Sequence, residues 1–154
     1  MIKFQRSRYD DPVFITLTSQ LDADLSSRYF TQQEDFAAQN KMDASAKVIV
    51  AYEGDEPIGC GALRPMDERN TVELKRMYVL PEFRGRGISG QLLLELEKWA
   101  AEDGFRVIRL ETGNKQPEAI ALYLKRGYLP IAPYGPYVDE ETSLCMEKQL
   151  RAGW

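Results

Sequence analysis

The sequence predicts an α+β fold, a mixed and mostly antiparallel sheet with helices packed on its faces. Two observations lead there. Three β-rich runs follow one another between residues 47 and 79 with only short polar turns between them, the pattern of an antiparallel meander. After them comes a strand, helix, strand succession, and a single crossover joined to a meander makes a mixed sheet. No repeat, linker or compositional break interrupts the 154 residues, so residues 1–154 are expected to form one domain.

Taken in order, residues 2–9 alternate weakly, with Ile2 and Phe4 on one side, and read as a first strand. Asp10, Asp11 and Pro12 open a helix, since acids and proline are favoured at a helix start. Phe14, Leu17, Leu21 and Leu25 recur at the three- and four-residue spacing of one helical face. Residues 29–46 are polar and poorly periodic, with a short second helix expected around Phe36. Residues 47–52 form a strand by their β-branched content, 53–56 a turn, and 57–64 the returning strand of a hairpin. Residues 71–79 make the third strand of the run, stopped by Pro81. Residues 89–102 are helical, with Leu92, Leu93, Leu96, Trp99 and Ala100 as the buried stripe and Asp103-Gly104 as the end. Residues 105–111 are a strand and 117–126 a helix, begun by Pro117 and ended by Gly127. Residues 128–131 and 143–150 are short closing strands.

Composition narrows the chemistry. The chain is 44% hydrophobic and 29% charged, as expected of a soluble globular protein. It contains no histidine, which removes Ser-His-Asp and Cys-His triads, imidazole acid–base chemistry and His-ligated zinc. Proton transfer must then rest on carboxylate, tyrosine, lysine, cysteine or water. The net charge of −4 argues against nucleic acid as a partner. Cys60 and Cys145 are too few for a disulfide framework or a four-cysteine metal site, no other metal site is indicated, and a reduced compartment follows. The longest unbroken apolar run, at residues 119–124, is six residues against the roughly 20 that span a bilayer. A cytoplasmic location away from membranes is the expectation.

The most informative segment lies between the third strand of the meander and the following helix, at residues 79–90. Gly85, Gly87 and Gly90 let the backbone turn N–H groups inward, and the helix start adds its unpaired amides and positive dipole end. With Arg84 and Arg86 as charge reinforcement, this is a place for a pyrophosphate. The same residues satisfy G-x-G-x-x-G, with Glu111 about 20 residues on, the fingerprint of dinucleotide binding. That reading fails on context. Pro81 and its neighbours separate strand from glycine, about half the chain precedes the motif, and only one crossover is present.

The segment resembles the acetyl-CoA loop of the GNAT superfamily of N-acetyltransferases, Q/R-x-x-G-x-G/A, here Arg84-Gly85-Arg86-Gly87-Ile88-Ser89. Ser89 departs from the usual final Gly or Ala, and its hydroxyl is suited to capping the helix or bonding a phosphate. Ala119-Ile120-Ala121-Leu122-Tyr123 with Gly127-Tyr128 is similar to the family's A-I-x-L-Y-x-x-x-G-F/Y helix, Gln116 standing where an Asn is common. Residues 73–79 resemble its central strand. The resemblance covers roughly residues 47–150. It implies a splayed sheet with acetyl-CoA as co-substrate wedged between the strands at 71–79 and 105–111. Backbone groups of Met77, Tyr78 and Val79 would meet the pantetheine arm, the segment from Arg84 to Gly90, Ile88 included, would meet the phosphates, and Gln116 would be a further cofactor contact.

Direct acetyl transfer requires a neutral amine and a proton for the departing thiolate. A free alkylamine has a pKa near ~10, so a base or a water relay must strip it at neutral pH. The resemblance points to Glu73 as that base, acting directly or through water. Its competing reading is an ion pair with Lys75 or Arg76. It likewise points to Tyr123 as the acid toward the sulfur, against plain core packing. The two cysteines read as small buried hydrophobes. For the acceptor, Arg28, Arg64 and Arg76 could clamp a carboxylate, with residues 59–64 bordering the cleft and the 133–137 segment, Tyr137 included, as a wall. Solvated arginines remain the alternative. The expected activity is acetylation of a primary amine, of a small amino-acid-like metabolite or else of a protein or peptide. A binding-only acyl-CoA module is the reading from another class, and a homodimer is compatible with any of them.

Overall fold

The computed structural model describes residues 1–29 and 41–151, apart from the side chains of Arg28 and Tyr29. The helix expected around Phe36 lies outside the described residues. Seven strands form one sheet: β1 (Ile2–Ser7), β2 (Lys47–Glu53), β3 (Glu56–Pro65), β4 (Thr71–Val79), β5 (Val107–Gly113), β6 (Leu129–Ile131) and β7 (Ser143–Gln149). Their spatial order is β1-β2-β3-β4-β5-β7-β6, with β4 and β5 parallel and every other pair antiparallel.

Three helices cover the two faces. Helix α1 (Pro12–Tyr29) lays Phe14, Leu17 and Leu21 on Val48, Val50, Cys60, Ala62 and Tyr78. Its first turn is closed by Asp11, whose carboxylate accepts the Val13 N–H at 2.9 Å and the Ser7 hydroxyl at 2.6 Å. Helix α2 (Ile88–Glu102) buries Leu92, Leu93 and Leu96 on the opposite face, against Ile49, Ile58 and Leu74. Each such side chain contributes about 1.5–3 kcal/mol by leaving water. Helix α3 (Pro117–Lys125) closes the same face beyond β5, and Gly127, at φ 93°, takes the left-handed turn that ends it.

The sheet order holds one arrangement that element order alone does not state: β7 lies inside, between β5 and β6. A signal for it is present in Pro130. Proline has no N–H to give to a ladder, so the three-residue strand that contains it belongs at an edge, leaving the inner place to β7.

Strand β4 is bent. Arg76 stands at φ 61° in a bulge, and the ladder to β3 passes from Lys75 opposite Ala62 to Tyr78 opposite Cys60. Opposite the bulge sits Gly61, where an added Cβ would lie 2.5 Å from Met77 Sδ and 2.9 Å from a Leu96 methyl. Only glycine leaves room for Met77 to tuck under the sheet there.

Candidate active site

The bend opens the sheet. β4 and β5 pair from Thr71 opposite Val107 as far as Leu74 opposite Leu110 and then part, although both strands continue for several residues. A cleft of about 370 Å³ fills the gap, walled by residues 74–79 of β4, by Glu111 and Thr112 of β5, and by Gln116, Ala119, Leu122 and Tyr123 of α3. Leu21 and Leu25 of α1 reach its edge.

The outer end of the cleft is the loop before α2. Gly85 and Gly87 stand at φ 83° and 78°, conformations that L side chains rarely adopt, and Gly87 occupies the cap position of the helix. The first intrahelical bond there runs from Gln91 N–H to Gly87 O, which leaves the amides of Ile88, Ser89 and Gly90 to face the opening. Ser89 therefore sits inside the first turn, and the expectation that its hydroxyl caps the helix is corrected: the cap has no side-chain hydrogen bond. Arg84 lines the cleft with its Nε donating to Val79 O at 2.9 Å, its guanidinium over the Tyr78 ring. Arg86 points away and pairs with Glu53 at 2.9 Å on the surface.

The inner end carries the titratable groups. Tyr123 is 6% exposed, edge-on to Tyr128 at 5.8 Å between ring centroids, and its hydroxyl has no hydrogen-bond partner among the described residues. Burial first, and then the nearby Glu111 carboxylate, push the phenol well above its ordinary value. Glu111 lines the same cleft and accepts the Ser143 hydroxyl at 2.7 Å. Burial raises its carboxyl above the ordinary carboxylate range, against the lowering effect of Ser143 and of Lys75. Lys75 enters from β4, its Nζ 2.7 Å from the Tyr137 hydroxyl, and burial lowers its ammonium below the ordinary lysine value.

Residues 15–128 match the family model for the acetyltransferase (GNAT) family. The chain belongs to the GNAT family of acetyltransferases. It is 35% identical to the IAA acetyltransferase of Azospirillum brasilense over 88% of this chain and 90% of that one. A crystal structure from Klebsiella pneumoniae, assigned as an acyl-CoA N-acyltransferase, is 32% identical and superposes with a TM-score of 0.83 over 98% of this chain and 99% of that one. A GNAT acetyltransferase from Elizabethkingia anophelis, solved with acetyl-CoA bound, shares the fold at 22% identity, with a TM-score of 0.71 over 97% and 98% of the two chains.

Within this GNAT fold the residues singled out from sequence separate into two groups. Met77, Tyr78, Val79, Arg84, Gly85, Gly87, Ile88, Ser89, Gly90, Gln116 and Tyr123 meet around one cleft; Arg86 lies outside its lining. Glu73 is 4% exposed and sits beneath the cleft rather than on its wall. Its carboxylate takes 2.8 Å hydrogen bonds from Arg64 and from the Tyr134 hydroxyl, with Lys75 Nζ at 4.0 Å. The competing ion-pair reading thus holds for Lys75 loosely and not for Arg76. The arginines proposed as a carboxylate clamp are committed elsewhere. Arg64 is held by Glu73 and by Lys41 O, and Arg76 by Asp22 at 2.7 Å and Thr18 O at 3.0 Å. The side chain of Arg28 is outside the described residues. β3 does not border the cleft, because β4 lies between them, and Tyr137 walls the Lys75 side chain rather than the cleft itself. Cys60 and Cys145 are buried, burial pushing the Cys60 thiol up to about 12.

Sequence reading passed over Glu111 and Lys75. Glu111 was visible only as the acid of a dinucleotide fingerprint, and Lys75 only as a neighbour of Glu73. Their register on β4 and β5, one position past the last paired residues, was the missing signal.

Proposed function

We propose that this GNAT enzyme moves an acetyl group from acetyl-CoA to a primary amine of a small molecule by direct transfer, with Tyr123 as general acid and Glu111 as the carboxylate that takes up the amine proton. One observation carries the reading: the parting of β4 from β5 makes a single cleft with an anion-binding loop at one end and the Glu111–Tyr123 pair at the other. The loop fits a pyrophosphate, since glycines at positive φ and unpaired helix amides present N–H groups with little steric cost. The unpartnered Tyr123 hydroxyl fits a sulfur that needs a proton. A GNAT relative solved with acetyl-CoA supports the choice of donor.

Acetyl-CoA supplies the activated thioester. The chain positions and moves protons around it. Glu111, held back from solvent and steadied by Ser143, is the better proton acceptor because burial makes its conjugate acid weaker than an ordinary carboxylic acid. Tyr123 faces the departing thiolate, whose conjugate acid lies near ~8.5. The two are linked: the negative charge of Glu111 holds the Tyr123 proton on, so uptake of a proton by Glu111 makes Tyr123 a readier donor. Glu73, tied to Arg64 and Tyr134, is assigned to orienting Lys75 and the surrounding wall.

The test is an amine panel with acetyl-CoA, read by release of free thiol and by mass of the product. Turnover with one or more small primary amines, abolished by omission of acetyl-CoA, is the expected result. Tight acetyl-CoA binding with no thiol release beyond slow hydrolysis on any amine or peptide would instead favour a binding-only module.

A further inference from the structure

The walls facing the inner end of the cleft hold many charges, and most of them neutralise one another at short range. Arg64 and Glu73 are 2.8 Å apart, Arg76 and Asp22 2.7 Å, and Arg109 and Glu147 2.8 Å. Lys75 and Glu111, one of each sign, make no ion pair that short among the described residues. Lys75 is 8% exposed, its Nζ bonded to the Tyr137 hydroxyl, and its carboxylate neighbours are Glu73, at 4.0 Å, and Glu111. Glu111 is bonded to the neutral Ser143 hydroxyl and makes no ion pair within 4.0 Å among the described residues. Leu74 and Leu110 are the last paired residues of β4 and β5, so Lys75 and Glu111 are the first residues on either side of the opening, and both line the cleft.

We infer that the acceptor is an α-amino acid, its ammonium directed to Glu111 and its carboxylate to Lys75. The inference rests on the acetyl-transfer reading above and names the substrate class of that site. A buried cation and a half-buried anion on neighbouring strands match a ligand that carries both signs on adjacent atoms. A simple alkylamine would answer Glu111 and leave Lys75 with only Glu73, at 4.0 Å, whereas a carboxylate in the cleft would give the ammonium a partner at bonding distance. Arg64 and Arg76 cannot serve in its place, because each already holds a carboxylate at bonding distance, Glu73 at 2.8 Å and Asp22 at 2.7 Å. Lysine is also the suitable cation for a carboxylate that must arrive and leave, being a single point charge rather than a two-pronged clamp.

Matched pairs test this directly: phenylalanine with phenethylamine, and leucine with isopentylamine, each compared by kcat/KM under saturating acetyl-CoA. The wild-type enzyme is expected to favour the amino acid of each pair by about 10-fold or more, the scale of one charge-assisted hydrogen bond. Lys75→Gln should bring that ratio down by about 10-fold, and Lys75→Arg should restore part of it. A wild-type preference for the amine without a carboxylate overturns the inference with no variant needed. So does a ratio that Lys75→Gln, folded and able to bind acetyl-CoA, leaves in place. Turnover with a flat ratio fails the Lys75 assignment alone, whereas no turnover of any amine fails the transfer reading beneath it.

Discussion

Tyr123 is held in its buried place by packing and not by a hydrogen bond, so its hydroxyl can be removed without stranding a partner. Tyr123→Phe is expected to lower kcat on the order of 10²-fold, the size of one general-acid contribution, with little change in Tm. Steady-state kinetics beside a melting curve checks both, and an unchanged kcat would leave Tyr123 a packing residue. Glu111 behaves differently, because its burial makes the charged form a burden on the folded state. A carboxyl raised above its unfolded value contributes stability that is present at low pH and lost as pH rises through the raised value. Glu111→Gln is therefore expected to raise Tm near neutral pH while lowering kcat. The gain in Tm should fade toward pH ~4, where the carboxyl is protonated in folded and unfolded chains alike. A lower Tm together with full kcat would contradict the role given to Glu111. Glu73 gives the opposite signature. Its loss strands Arg64 and Tyr134, so Glu73→Gln is expected to cost about 1–3 kcal/mol in chemical denaturation and to leave the pH dependence of kcat in place. A pH–rate profile that flattens in Glu73→Gln and not in Glu111→Gln would move the base role to Glu73.

At the level of elements, the Tyr123 ring is positioned by a buried network that joins three of them. Glu97 on α2 is 2% exposed and accepts the Tyr128 hydroxyl and the Lys148 ammonium, each at 2.9 Å. Tyr128, fully buried after α3, packs edge-on to Tyr123. The helix that begins after the glycine loop is thereby tied to the Tyr123 ring, through β7 as well as α3. Tyr128→Phe keeps the ring contact and removes one bond to a buried carboxylate, with an expected loss of about 1–3 kcal/mol in urea unfolding. A variant as stable as the wild type would mean that Lys148 alone satisfies Glu97. The opening of the cleft is also an element-level property. The Arg76 bulge bends β4 off the line that β5 follows, and Asp22 and Thr18 O of α1 hold the bulged arginine in place.

For the molecule as a whole, one sheet carries two apolar clusters, α1 over one face and α2 with α3 over the other, and the cleft is the place where the sheet between them parts. A ligand that bridges the parted strands binds the folded chain and has no counterpart in the unfolded one. Acetyl-CoA at 100 times its Kd is expected to add about 2.7 kcal/mol, or a rise in Tm on the order of 5–10 °C for a chain of this size. NADH at the same concentration should give none, and a shift with NADH but not with acetyl-CoA would contradict the proposed donor. No described helix is long and apolar enough to cross a membrane, and no described cluster of His, Cys, Asp and Glu could hold a metal ion.

The order of strands and helices, the glycine loop and the Tyr123 helix were all legible in the sequence, because each depends on residues near in the chain. Periodicity reports which face of a helix is buried, and glycine, proline and cap residues report where backbone must turn. Glu73 was legible as a carboxylate in an apolar strand, yet its bonds to Arg64 and Tyr134 were not, since both partners come from other parts of the chain. The same holds for Arg76, which looked available only because its acidic partner Asp22 lies 54 positions away in sequence. Register was the larger gap. Where β4 and β5 stop pairing is set by a bulge on one strand and by a glycine on its other neighbour, and that stopping point puts Lys75 and Glu111 at the opening. Local sequence determined which elements form and which loop turns on glycines at positive φ ahead of a helix. Tertiary packing decided which of several charged residues are paired at short range and placed Lys75 and Glu111 together at the cleft, because electrostatic pairing depends on distances in space that chain separation does not record.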